Sequence, residues 1–442
     1  MRSKAQAAVA PEDQSGQAGG TRFIGAAFMP FQISRRAVSL GLPALLLTGC
    51  VTGGAGLVSR DEWRSVPNAD FDQWLAGFRV RAVENGISEA TVTRAFRGVG
   101  YVPLVIERDR NQAEFNRTME DYLAIAASEE RISMGRAKLR QHDRVLQAIE
   151  DRFGVEKHVM CAVWGMESFY GTREGDAPVI AALATLTFDG RRGRFFGSQL
   201  MSALRALDRG DTTVAQMRGS WAGAMGHTQI MPEVLEDYGV DFDGDGRRGC
   251  WDDDPTDALA TTANYLARHG WQHGQPWAVE VQLPEGFDES LAGRTRTRSV
   301  ASWMGMGVRD MDGNRVPDHG EAAILLQMGI NGPALMIFRN FTAIRRYNPA
   351  NNYVIGIGHL SDRLVGGPPI RGSYPPDENG LTRAGRIELQ ERLTAQGFDT
   401  GGSDGVIGPA SRSAIRAYER AQGLPETGVA TDELLARLRQ TG

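Results

Sequence analysis

Cysteine is scarce, with three in 442 residues, at Cys50, Cys161 and Cys250. So few thiols exclude a disulfide-built scaffold. None stands with histidine at zinc-site spacing. Cys161 and Cys250 read as separate thiols, Cys161 buried on a helix, since pairing needs a proximity that sequence alone does not supply. Charge of one sign is also lacking: the formal net charge is −5 with both signs interspersed, so no nucleic-acid partner is expected. No apolar run is long enough to span a bilayer. Internal repeats are absent, and strand-like alternation is rare before residue 275. What is there is a chain long enough for more than one core, patterned mainly as α-helix.

The N-terminus carries an address. Residues 1–28 are small, polar and unpatterned, either disordered or upstream of the true start. Residues 29–50 read as a signal peptide: Arg35-Arg36, an apolar run from Ala37 to Leu47, then Leu47-Thr48-Gly49-Cys50. That ending resembles a bacterial lipobox, which makes Cys50 the acylated first residue of an exported protein. Ser34-Arg35-Arg36 also resembles a twin-arginine signal weakly. The expected location is periplasmic, with a lipid anchor in the outer membrane. Residues 51–68, a mixture of Gly, Ser and Val, suit a tether.

Helical periodicity begins at Phe71 and ends at Asn85-Gly86, with Ser88 placed to cap the next helix. Long helices are expected over about 113–130 and 134–153. Between Pro276 and Val316 the pattern loosens. There the segment from Trp277 to Leu283 alternates as a strand does, so a small β-containing insertion is expected. Helix returns from about Gly332 to Leu364. The proline- and glycine-rich stretch 367–380 marks a linker before a module of about sixty residues at 381–440.

Two stretches carry the chemistry. From Val155 to Tyr170, apolar residues recur at helical spacing, with Gly171 where a left-handed stop is expected. One carboxylate, Glu167, sits near the end of that apolar helix. Desolvation favours its protonated form, which suits a general acid acting on a glycosidic bond. A structural ion pair is the other reading of such a glutamate. The second stretch runs from Gly219 to Pro232, with glycines at 219, 223 and 226 that allow close backbone approach. Ser220 and Gln229 offer hydrogen bonds there, and Trp221 a flat face for a sugar ring. A tight packing loop is the alternative.

Together these motifs, Trp164-Gly-x-Glu167-Ser-x-Tyr170-Gly171 and Ala222-Gly-Ala-Met-Gly-x-x-Gln229-x-Met-Pro232, followed by Arg345-Arg346-Tyr347-Asn348 and Tyr353, resemble the membrane-bound lytic murein transglycosylase B family over about residues 69–365. The resemblance implies a lysozyme-like, mainly α catalytic domain (69–366). It also implies cleavage of the MurNAc–GlcNAc β-1,4 bond of peptidoglycan without water, leaving 1,6-anhydro-MurNAc ends. Glu167 is then the catalytic residue, acid first and base second, and no catalytic cofactor is needed. Ser220, Gln229, Tyr347, Asn348 and Tyr353 are implied around the sugar. Arg191 and Arg192 are implied near the glycan or peptide carboxylates, although a solvated face also accounts for them. Glu174, Asp176 and Asp189 are the candidate second carboxylates. One of them facing Glu167 would instead make a hydrolytic muramidase. A non-catalytic wall-binding scaffold is the reading from another class.

Asp241, Asp243 and Asp245, then Gly246, Arg247 and Asp252, match an EF-hand loop through its twelfth position, with Asp in place of the usual Glu. The same family carries such a loop, so a structural Ca2+ is expected there. The C-terminal module resembles a three-helix peptidoglycan-binding domain on Leu381-Thr382, Leu389-Gln390, Leu393 and Ser403-Asp404-Gly405. It departs from the family pattern at Ser411 and Glu419. The partners expected are peptidoglycan strands and, through Cys50, a membrane; oligomeric state is left open.

Overall fold

The computed structural model describes residues 62–111 and 118–441. The expected signal peptide, its lipidated Cys50 and the tether as far as residue 61 therefore lie outside the described residues. The end of the expected tether is packed: Val66 N donates to Tyr101 O at 2.8 Å, and the Trp63 indole donates to Asp176 Oδ1 at 2.9 Å. No described helix is long and apolar enough to cross a membrane.

The described residues build a mainly helical body, a small sheet and a C-terminal helical module, each with its own apolar cluster. At the centre of the body lies the helix Lys157–Ser168, buried on nearly every side from Val159 to Met166. It packs against Glu129–Gln141, Asp143–Phe153, Thr256–Arg268 and Asn351–Leu364. Close approach rests on glycine: a Cβ at Gly165 would lie 2.5 Å from the Tyr170 ring, and one at Gly135 would lie 2.1 Å from the Tyr170 hydroxyl. Each large apolar side chain so buried contributes roughly 1.5–3 kcal/mol. The expected cap holds, since the Ser88 side chain accepts from Thr91 N.

Three sequence expectations are corrected. The helix expected over 113–130 is, in its described part, Met119–Ala126 and then Glu129–Gln141, because Ser128 takes extended angles and caps the second at Arg131 N. The helix expected over 134–153 is interrupted at His142. The sheet extends past the expected insertion: its order is Arg298–Ser299, Glu321–Leu325, Ala334–Ile337, Ala278–Gln282, Arg309–Asp310, all antiparallel. Glu321–Leu325 and Ala334–Ile337 are buried almost throughout, so they lack the alternation that betrays a strand.

The expected linker is docked. Ile370 and Tyr374 pack on the body core, Gly372 N donates to Glu280 Oε1 at 2.7 Å, and Arg371 pairs with Asp312 at 2.6 Å. The C-terminal module comprises Arg383–Ala395, Pro409–Ala421 and Asp432–Gln440. Its two departures are used internally. Gln390 Nε2 donates to Ser411 Oγ at 3.0 Å, and the Glu419 carboxylate accepts from Thr427 Oγ1 at 2.5 Å and Gly428 N at 2.9 Å.

Candidate active site

The central helix ends at Ser168, earlier than the expected stop at Gly171. Phe169, Tyr170 and Gly171 all adopt left-handed angles, with φ of 51°, 59° and 84°. The only other described non-glycine residue with positive φ is Gln229, at 49°. Strain of this kind costs of order 1–3 kcal/mol per residue and gathers where geometry must be held. Here Ser168 holds it: its hydroxyl donates to His227 O at 2.5 Å and accepts from Gly171 N at 2.8 Å. The Glu167 helix end is thereby fastened to the glycine-rich loop.

That loop starts from a two-residue ribbon, Ala177–Pro178 against Arg218–Gly219. Ser220 closes its first turn, its Oγ accepting from Ala224 N at 3.0 Å. Gln229 donates from Nε2 to Glu174 O at 2.8 Å and to Gly226 O at 2.9 Å, so its amide hydrogens are used in tying the loop. Trp221 is 4% exposed, so its ring packs inside the loop and does not offer the face expected for a sugar. His227 is a crosspiece. Nε2 contacts Asp252 O at 2.7 Å, and Nδ1 lies 2.8 Å from Glu174 Oε1, off the hydrogen-bonding direction, so that contact is electrostatic.

Glu167 keeps partial contact with solvent while its carboxyl is surrounded by protein, and this desolvation pushes its pKa from 4.5 up to about 8. The Tyr353 hydroxyl donates to Oε1 and opposes the rise. Tyr347 donates to Thr228 O at 2.6 Å, and the Glu167 charge adds to burial in raising its pKa. Asn348 Oδ1 accepts from Ala350 N at 3.0 Å, ordering the turn into the helix that carries Tyr353. No acid contributes to the Glu167 shift. The three candidate second carboxylates are engaged elsewhere: Glu174 with His227, Asp176 with Trp63, and Asp189 with Arg110 at 2.7 Å. The structural ion-pair reading of Glu167 fails too, because Tyr353 supplies a neutral hydroxyl and no cation. A proton held by Oε2 is what the arrangement offers a ligand.

The raised pKa carries a stability consequence. Folded Glu167 binds its proton more tightly than the unfolded chain, so the stability it contributes is full below pH 4.5 and is lost as pH climbs to about 8. Gln cannot ionise and escapes that loss. Glu167→Gln is expected to melt close to wild type at pH 5 and progressively above it towards pH 9, by roughly 1.4 kcal/mol per unit over the window. Thermal melts across pH check this.

Arg191 and Arg192 are placed together, but on a protein acid. Arg191 Nε donates to Asp109 Oδ2 at 2.9 Å and Arg192 Nη2 to Asp109 Oδ1 at 3.1 Å. Asp109 is 2% exposed, so one of the two positive charges is already answered.

The acidic loop converges as expected except at its last position. Carboxylate oxygens of Asp241, Asp243, Asp245 and Asp257 lie within 4.8 Å of one another. Asp252 is outside that group, its Oδ2 turned against Gly249. Asp257, in the first turn of Thr256–Arg268, takes its place and accepts from Phe242 N at 2.8 Å and Gly249 N at 2.9 Å. Sequence reasoning missed it because it stands on a helix beyond the twelve-residue loop. The Arg247 side chain sits on Asp245, with Nη2 to Oδ2 at 2.7 Å. Four hard oxygen donors of like charge fit a calcium ion. Cys161 and Cys250 are separate free thiols, as expected from sequence, and Cys250 is buried as well as Cys161.

Comparisons with known proteins agree with this geometry. A family profile for the transglycosylase SLT domain matches residues 70–362, and one for a peptidoglycan binding domain matches residues 382–438. The membrane-bound lytic murein transglycosylase B of Escherichia coli (strain K12) is 31% identical over 233 residues, 51% of this chain and 61% of that protein, so the match spans less than two thirds of that relative. Among solved structures, SltB3 from Pseudomonas aeruginosa in complex with NAG-anhNAM-pentapeptide is 46% identical, covering 84% of this chain and 100% of its own, with a TM-score of 0.69. Slt35 of Escherichia coli in complex with calcium is 25% identical, covers 67% of this chain and 93% of its own, and has a TM-score of 0.58. On the profile that spans its helical body, with these relatives beside it, the chain belongs to the transglycosylase SLT domain family.

Proposed function

We propose that the protein is a peptidoglycan lytic transglycosylase in which Glu167 acts alone. The observation that carries this reading is one carboxyl, held by burial at a pKa of about 8, with no second acid acting on it. Hydrolytic glycosidases place two carboxylates about the scissile bond. With one, the second nucleophile comes from the substrate. Glu167 Oε2–H protonates the glycosidic oxygen, and the C1–O bond of MurNAc breaks as its N-acetyl oxygen bonds to C1. The O6 hydroxyl of the same sugar then attacks C1, displaces that oxygen and returns its proton to Glu167. Atoms balance without water, and the acid ends as it began. Ser220, Gln229, Tyr347, Asn348, Arg191 and Arg192 are proposed to line the strand. Tyr353 fixes Oε1 as acceptor and so keeps the mobile proton on Oε2.

Digested sacculi analysed by mass spectrometry test the reading. Anhydro-MurNAc ends are expected; reducing MurNAc ends would overturn it in favour of a muramidase, and intact sacculi would favour a scaffold. Activity requires the protonated acid, so kcat/KM is expected to fall as pH rises through about 8. Tyr353→Phe removes the bond that stabilises the carboxylate, so its alkaline limb should move upward while kcat drops. A pH–rate profile reads both.

The relative from Pseudomonas aeruginosa was solved with a ligand that carries a pentapeptide, which supports glycan strands with peptide stems as the substrate. The C-terminal module is proposed to hold the wall. Cys50 is proposed as a lipid anchor, tested by whether Cys50→Ser leaves the membrane fraction. Asp241, Asp243, Asp245 and Asp257 are proposed to hold a structural Ca2+ that offsets their mutual repulsion. Calcium should raise the melting temperature by several degrees, and Asp257→Asn should lose more of that gain than Asp252→Asn.

A further inference from the structure

His227 joins the glycine-rich loop to two other segments. Its carbonyl accepts from the Ser168 hydroxyl at 2.5 Å, one residue beyond Glu167. Its N–H donates to Cys250 O at 3.1 Å, and its Nε2 contacts Asp252 O at 2.7 Å. A carbonyl can only accept, so Nε2 carries the hydrogen in that contact whatever the state of Nδ1. The ring also fills the space over Gly171, where an added Cβ would lie 2.7 Å from Nδ1. It meets the Trp164 ring nearly at right angles, with centroids 5.7 Å apart.

These contacts fall on both sides of Glu167 in the chain, three residues before it and one and four after it. Between them Phe169 and Tyr170 hold left-handed angles, a strain that persists only while the surroundings enforce it. The far end of the Glu167 side chain is met by Tyr353, 186 residues away. Its near end is fixed by the backbone at Ser168. A shift of Ser168 would therefore draw the carboxyl off Tyr353 and open it to water. Gln229 does not guard against this, because its amide ties Glu174 O and Gly226 O and leaves the helix end alone.

We infer that His227 is a positioning residue for the proposed reaction: anchored on the Asp252 carbonyl, it holds the Ser168 end of the catalytic helix and so keeps the Glu167 carboxyl enclosed beside Tyr353. The inference rests on the reading of Glu167 as the acid. His227 touches no reacting atom and moves no proton. Its contribution is the Nε2 hydrogen bond, which is independent of the charge on the ring.

Variants of the full chain separate this role from packing. His227→Phe keeps a ring and loses the Nε2 hydrogen, whereas His227→Gln puts an amide donor near the same point. His227→Phe is expected to lower kcat by roughly ten- to a hundredfold, the effect of a displacement of about 1 Å at the reacting groups, with KM nearly unchanged. Its alkaline limb should move down by about one pH unit, since a loosened carboxyl meets water and ionises more readily. Tyr347 and Tyr353 are the other titratable groups that interact with Glu167, and burial lifts both well above that limb. His227→Gln should recover much of both changes. Ser168→Ala should reproduce them, and the double variant with His227→Phe should be little worse than either alone, as for two parts of one linkage. Equal losses in His227→Phe and His227→Gln, additive losses in the double variant, or a lower melting temperature with kcat and the limb unmoved would overturn the inference. Should His227→Phe fail to fold, His227→Asn, too short to reach Asp252 O, takes its place. Carbon-13 NMR titration of glutamate-labelled protein, with the Glu167 signal assigned through Glu167→Gln, reads the same shift without turnover. A Glu167 pKa lower in the variant than in the wild type supports the inference and an equal one overturns it, even if the wild type cleaves no strand and the proposed activity falls.

Discussion

Glu167→Gln should release anhydro-muropeptides at less than about one-thousandth of the wild-type rate, with substrate affinity nearly unchanged. General acid–base assistance is worth roughly 10²–10⁴ in rate, and here one group serves both halves of the reaction. Gln keeps the size of the side chain and can still accept from Tyr353, so the pocket is preserved while the proton is lost. Because no other acid acts on Glu167, no neighbour stands ready to substitute. The loss should appear in kcat and in kcat/KM alike, the pattern of an interaction made in the transition state. A residual rate within tenfold of wild type would mean that another group delivers the proton.

The second large effect is on folding. A Cβ on Gly226 would stand 1.8 Å from the backbone oxygen of Cys250, and the residue has φ of 62°. Neither partner can step aside. His227 N donates to that same oxygen at 3.1 Å, and Gln229 donates to Gly226 O from Nε2 at 2.9 Å. Gly226→Ala is expected to cost about 3–5 kcal/mol, the range of a buried steric conflict with no low-energy escape. Gly210→Ala is the comparator: its φ is 82°, but nothing lies within 4 Å of the added carbon. It should cost only about 1 kcal/mol, the backbone penalty by itself. Urea denaturation of both variants separates the steric from the conformational contribution. Gly226→Ala should also weaken calcium stabilisation, because Cys250 follows Gly249, whose N–H holds the Asp257 carboxylate at 2.9 Å.

Much of this site was legible in the sequence because its signals are local. Glu167 stands out as one carboxylate near the end of an apolar helix, and the reason it keeps its proton is that same apolar setting. The glycines at 219 and 226 announce close backbone approach, and Ala224 and Cys250 are what approaches. Tyr353 was placed near the sugar by resemblance, but its bond to Glu167 spans 186 residues and no spacing rule predicts it. Trp221 has the residue type of a stacking face, but burial rather than residue type decides whether a ring is available. Asp257 was missed because a helix brings it back to a loop that ends before it. The strands Glu321–Leu325 and Ala334–Ile337 were invisible because burial on both faces erases alternation.

Digestion of sacculi in ¹⁸O-labelled water tests the central claim most directly. If the substrate's own hydroxyl closes the reaction, the released MurNAc ends are anhydro and contain no label. Reducing ends carrying ¹⁸O would show that water attacks C1, and the account of a single carboxyl working without water would be contradicted.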